Sequence, residues 1–252
     1  MKEIMWKELK SDLFTAKGYL WYVLASVILS VLSYLFLTNI ELSLLDQSTM
    51  VFYIMEAVLS LGILRAIIYG SDSFAGESER GTMEVLLLTP LRKSSIALEK
   101  FEASIVNWFI LFLISIPYIL IVGKGGQNVF DAIFYLFFLG TLMVMIFMIL
   151  SMILSIRLKS VKNALVTGML IFFLLGMTMI SPTLFKQSYI GQYIDAVNPV
   201  AAAVNTFDSV VIDSEGFGLQ IARVSVIIFY LILITLSLRR TVQKDELLGG
   251  VS

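Results

Sequence analysis

Residues 132–156 read AIFYLFFLGTLMVMIFMILSMILSI. No charge interrupts the run, and it is apolar on every face of a helix. About 20 such residues cross the hydrocarbon core of a bilayer as a helix. A spanning β-strand would alternate with a period of two over about ten residues. A helix also satisfies its backbone polar groups within one segment, as the bilayer interior demands. The run therefore predicts a transmembrane helix.

The pattern recurs along the chain. Residues 18–40, 103–123 and 163–185 are uncharged, and 221–238 carries only Arg223. Residues 47–71 are broken only by Glu56 and Arg65. These runs predict six spans, at about residues 18–38, 50–71, 101–123, 131–156, 162–181 and 221–239. The first run is longer than the apolar core of a cleavable signal, so a retained helix is expected. The fold class is an all-α integral membrane protein, one transmembrane domain over residues 1–252.

Composition agrees and narrows the chemistry. Of 252 residues, 58% are hydrophobic and 15% charged, whereas soluble domains have about 25% charged residues. There is no His and no Cys. That excludes zinc and haem sites built on those ligands, and Ser-His-Asp or Cys-His nucleophiles. A net charge of −1 leaves no electrostatic footprint for nucleic acid.

The placement of the charges says more than their sum. Lys2, Lys7, Lys10 and Lys17 precede the first span. Arg80, Arg92, Lys93 and Lys100 lie between the second and third, and Arg157, Lys159 and Lys162 between the fourth and fifth. Arg239, Arg240 and Lys244 follow the sixth. The first and last of the other connections carry mostly Asp and Glu, and the one between the third and fourth spans has only Lys124. Short basic loops stay in the cytoplasm, so both termini are expected there.

The first 17 residues predict an interfacial helix. Trp6, Leu9 and Leu13 share one side, Met5 flanks them, and lysines occupy the other. Residues 72–99, DSFAGESERGTMEVLLLTPLRKSSIALE, are too polar for a span and too short for a domain. Gly76 and Gly81 punctuate them, residues 82–88 would form a short helix, and Thr89-Pro90 reads as a cap and first-turn proline. Arg80 would fork onto a carboxylate, and Glu84 would pair with it if Gly81 did not break the helix. Between the fifth and sixth spans, Asn198-Pro199 would cap a short apolar helix, which predicts a re-entrant outer segment over 182–219.

The string Glu77-Ser78-Glu79-Arg80-Gly81-Thr82-Met83-Glu84-Val85-Leu86-Leu87-Leu88-Thr89-Pro90-Leu91-Arg92 resembles the cytoplasmic signature of ABC-2 type permease subunits, ERE-x-GT-x-E-x-LL-x-TPL. It departs from the commonest form at Ser78. Asn198-Pro199 resembles the family's outer segment, and the similarity extends over essentially the whole chain. The resemblance implies that residues 72–92 couple to a separate ATP-binding subunit through Glu77, Glu79, Arg80, Gly81, Thr82 and Glu84. It implies an outer gate at Asn198 and Pro199, a second permease copy, and export. ATP and Mg²⁺ would then belong to the partner ATPase, with no cofactor in this chain. The absence of a GxxxxGK[ST] phosphate loop agrees with that division of labour.

The remaining polar groups leave alternatives open. Glu56 would contact a neighbouring helix or line a substrate path, and Arg65 would snorkel. Arg223 would pair with Glu215 or another acid. Asn107 would bond across helices, Pro117 would kink the third span, and Gly140, Gly168 and Gly176 would allow close helix approach. Two other functions compete with a hydrophobic or amphipathic substrate exporter. One is a scaffold or sensor subunit without a path. The other is an intramembrane enzyme holding Mg²⁺ on Asp72, Glu77 and Glu79.

Overall fold

The computed structural model describes residues 15–39, 46–83, 93–124, 126, 128–180 and 188–243, together with residues 6, 9 and 10. In chain order the helices are α1 (Ala16–Thr38), α2 (Gln47–Glu79), α3 (Lys93–Val122), α4 (Val129–Leu158), α5 (Val161–Ile180), α6 (Tyr189–Val197), α7 (Pro199–Val211) and α8 (Phe217–Gln243). Five of them, α1, α2, α3, α4 and α8, are long and apolar enough to cross a membrane, and α5 carries a shorter apolar helix over Val161–Met177. The chain is an all-α, multi-pass membrane protein with five to six apolar spanning helices.

The α2–α4 pair forms the centre, and α3, α5, α7 and α8 pack around it. Lipid tails are as apolar as the helices, so association rests on close fit and on polar contacts between helices. Trp108 of α3 shows the fit. Its ring is 2% exposed and lies over two glycines, Gly62 of α2 and Gly140 of α4. A Cβ at Gly140 would stand 2.5 Å from the ring, and one at Gly62 would overlap it. The indole Nε1 donates to Thr141 Oγ1 at 3.0 Å. Gly140 thus serves the close approach its sequence suggests, whereas Gly176 faces open space.

Helix α1 is peripheral, packed on α2 and α3. Tyr22 donates to Asn107 Oδ1 at 2.6 Å, so Asn107 does bond across helices. The Tyr118 hydroxyl lies 2.8 Å from Ser26 Oγ and 3.0 Å from Ser30 Oγ. Arg65 lies over the Trp21 ring, 5.9 Å from its centroid, a cation–π contact. Helix α3 runs unbroken through Pro117.

Several expected boundaries move. The second span does not end at residue 71: α2 continues for 33 residues, about 50 Å, well beyond a hydrocarbon core of about 30 Å. Gly76 does not interrupt it, because Phe74, Ala75 and Gly76 are buried and tertiary contact outweighs glycine's weak propensity. The last helix starts at Phe217, before the expected residue 221, and the connection before it holds two helices instead of one. In the N-terminal segment Leu9 is buried and Trp6 exposed. Met5 and Leu13 lie outside the described residues.

Candidate functional site

Helices α2, α4 and α8 finish, and α3 and α5 begin, at one end of the bundle. Side-chain bonds between these termini establish this. The polar residues of the 72–82 stretch gather there.

Helix α2 stops in a defined way. Arg80 is the C-cap and Gly81 follows with φ +68°, the left-handed region that glycine enters freely. Thr82 N donates to Glu77 O at 2.9 Å and Gly81 N to Ser78 O at 3.1 Å. This is the Schellman pattern, which satisfies carbonyls that a helix end otherwise leaves bare. Gly81 therefore does break the helix, and an Arg80–Glu84 pair along one helix is ruled out. Arg80 turns back instead: its Nη2 stands 2.8 Å from both oxygens of Asp72. That pair is largely exposed and contributes little to stability.

The two glutamates have separate partners. Glu77 Oε1 lies 3.6 Å from Lys100 Nζ of α3, and the lysine side chain is only 3% exposed. The Thr82 hydroxyl donates to Glu77 Oε2 and, at 3.3 Å, to Glu77 O. Glu79 Oε1 accepts from Val161 N at 2.9 Å. Val161 opens α5, so Glu79 places an anion where the helix dipole and an orphan N–H favour one. Asp72, Glu77 and Glu79 thus bind three different partners, which speaks against their converging on Mg²⁺. Among the described residues no group of three or more His, Cys, Asp or Glu could hold a metal. Glu84 and the rest of the signature through Arg92 lie outside the described residues.

Sequence reasoning overlooked Ser155 of α4. Its fully buried hydroxyl donates to Ser71 O at 2.8 Å and accepts from Ala75 N at 2.8 Å and Phe74 N at 3.1 Å. The available signal was the serine pair 151 and 155, one turn apart in an otherwise apolar span. Nearby, Arg157 Nη2 reaches Thr241 Oγ1 of α8 at 3.5 Å.

The opposite end carries the other expected residues. Asn198 caps α7, its Oδ1 accepting from Val200 N at 2.9 Å with Pro199 in the first turn. Its Nδ2 donates to Leu175 O of α5 at 2.6 Å. Ala201, Ala202, Ala203, Val204 and Phe207 are buried. Arg223 does not pair directly with Glu215. Its Nη1 donates to Asn205 O, Ser209 Oγ and Gln220 Oε1 at 2.7–2.8 Å, and Gln220 Nε2 donates to Glu215 Oε2 at 3.0 Å. Arg223 therefore straps α8 to α7. Asn128, just before α4, donates to Val211 O at 3.0 Å and to Ser214 Oγ at 2.6 Å. Glu56 is half-buried on α2.

The sequence model of the family described as ABC-2 family transporter protein matches residues 23–241. The chain belongs to the ABC-2 transporter family. That match takes in six complete helices of this ABC-2 protein, α2 through α7, its central pair included, and most of α1 and α8. It covers both the α2 terminus and the Asn198–Pro199 cap. No curated protein matches the chain.

Proposed function

We propose that this chain is the permease of an ATP-driven exporter, energised by a separate ATP-binding subunit. One observation carries the reading: in an ABC-2 family chain, α2 projects well past the apolar layer and ends in a fixed polar corner. Glu77, Glu79 and Arg80 anchor that corner to α3, α5 and α2 itself, while Gly81 and Thr82 remain exposed at its tip. A partner pushing on the tip would move three helices rather than one loop. The corner and the basic residues Arg157 and Lys159 face the cytoplasm in this reading, as do both termini, in a plasma-membrane protein.

Two permease copies and two ATPases would complete the transporter, with ATP and Mg²⁺ held by the ATPases. The path would form between the copies. Exposed apolar side chains on α1, α5 and α8, such as Tyr19, Phe173 and Phe229, are available to lipid and to a second copy. A hydrophobic or amphipathic cargo suits spans with scattered Ser, Thr and Tyr. Glu56 and Arg223 are the intramembrane polar candidates beside it, and the Asn198–Pro199 cap would gate the outer side.

Co-purification with the ATP-binding subunit, followed by substrate-stimulated ATP hydrolysis, tests the proposal. Glu79→Ala or Gly81→Val should assemble yet lose stimulation. Unchanged stimulation in both variants would overturn the coupling role. Binding of the ATPase without any substrate response would instead mark a scaffold.

A further inference from the structure

The buried polar stitch between α2 and α4 carries an inference that rests on the permease reading above and deepens it. Ser155 Oγ sits beside one step of the α2 ladder, at 2.8 Å from both Ser71 O and Ala75 N. A hydroxyl has one donor and two acceptor positions. Ser71 O takes the proton, and Ala75 N and Phe74 N fill the acceptor sites. Ser73 Oγ donates to Gly70 O at 2.6 Å in the same turn. Gly70 lies against α4, where a Cβ would stand 2.6 Å from Ser151 Cβ.

Here Gly70 and Gly76 weaken the same stretch. The turn between them is where α2 would bend if its far end were pushed. Yet Ser155 holds that turn to α4 from within, and Glu79 holds the end of α2 to the start of α5. Helices α4 and α5 are joined through Lys159, itself in the left-handed region with φ 51°.

We infer that Ser155 is a positioning residue that, with Glu79, makes the last turns of α2 and the α4–α5 corner one mechanical unit. A push on residues 77–82 is then delivered to the α4–α5 hairpin and is not absorbed by bending α2. Loss of the Ser155 hydroxyl converts the stitched turn into a compliant one.

The chain has no cysteine, so pairs of cysteines can be introduced without other changes. Spin labels at the exposed positions Ser78 and Lys162 report the distance between the α2 end and the α5 start. The full permease in nanodiscs should give one narrow distance distribution, the same with and without ATP when its ATP-binding partner is bound. Ser155→Ala should broaden it by about 4 Å, the swing of a kink of about 20° acting on a lever of about 12 Å. It should also lower substrate moved per ATP while the complex still assembles. Ser155→Thr, which keeps the hydroxyl, should behave as the parent.

Ser151→Ala is the packing control: Ser151 is equally buried one turn earlier, and its Oγ makes no hydrogen bond among the described residues. Glu79→Ala, at an exposed site that does not threaten folding, should broaden the same distribution. The inference fails if Ser155→Ala stays narrow, whatever Glu79→Ala does. It also fails if Ser151→Ala broadens the distribution as much as Ser155→Ala, or if ATP shifts the parent distance by the same amount. The distribution of the permease alone needs no partner. Its outcome therefore stands apart from failure of the permease reading, which would show as absence of any ATPase complex.

Discussion

The Trp108 slot offers a sharp physical test of how the bundle is held. Trp108→Ala removes about 140 Å³ of side chain, and at about 24 cal/mol per Å³ of unrelaxed cavity the cost reaches about 3.4 kcal/mol. The packing term dominates because lipid offers apolar surface as good as the protein's. Gly62→Ala in the parent drives a methyl into the indole. Overpacking costs about 1–3 kcal/mol, offset by up to about 1 kcal/mol from the better helix propensity of alanine. In the Trp108→Ala background the clash with the ring is gone and only Val144 Cγ2, at 3.3 Å, must give by a few tenths of an ångström, so the propensity gain dominates. Gly62→Ala should therefore destabilise the parent and stabilise the truncated variant, with a coupling energy of about 1–3 kcal/mol. Reversible unfolding in mixed micelles, followed by far-ultraviolet circular dichroism, measures all four corners of the cycle and does not depend on the lost tryptophan signal. Additivity within about 0.5 kcal/mol would show that the ring does not occupy the slot between Gly62 and Gly140.

Three further outcomes follow from named contacts. Gly81→Val places a side chain at φ +68° and should cost about 1–2 kcal/mol locally, with substrate-stimulated ATP hydrolysis falling more than thermal stability. Asn198→Ala removes the α7 cap and the bond to Leu175 O and should lower stability by about 1–2 kcal/mol, whereas Asn198→Asp keeps the cap and should lose less; thermal unfolding ranks the two. Arg223→Met releases α7 from α8 and should speed proteolytic nicking at residues 212–216 relative to the parent, with no change at the α2 end.

The helical, multi-pass character and the order of the apolar runs were legible because uninterrupted apolar runs have one stable solution in a bilayer; five of the six expected spans are long enough to cross, and the fifth is shorter. Ends were less legible. The 72–79 stretch looks like a polar loop, and only the buried face of Phe74, Ala75 and Gly76 against α4 makes it helix. The Asn198–Pro199 cap was readable, since an N-cap and its proline are local chemistry. The partners of Glu77, Glu79 and Arg80 were not, because Lys100 and Val161 arrive through helix packing, and Arg80 reaches two turns back to Asp72 only once its helix has ended there. Ser155 went unnoticed for the same reason: a serine in an apolar span gives no sign of which neighbour's backbone it will hold.

The central claim is that the α2 terminus meets the ATP-binding subunit. A photo-activatable crosslinker on a single cysteine at Ser78, with a control at the opposite end at Glu215, tests it in the assembled transporter in native membranes. Crosslinking to the ATP-binding subunit from position 78 and not from 215 is the predicted result. Capture from 215, with position 78 instead labelled by a membrane-impermeant reagent added outside the cell, would contradict it.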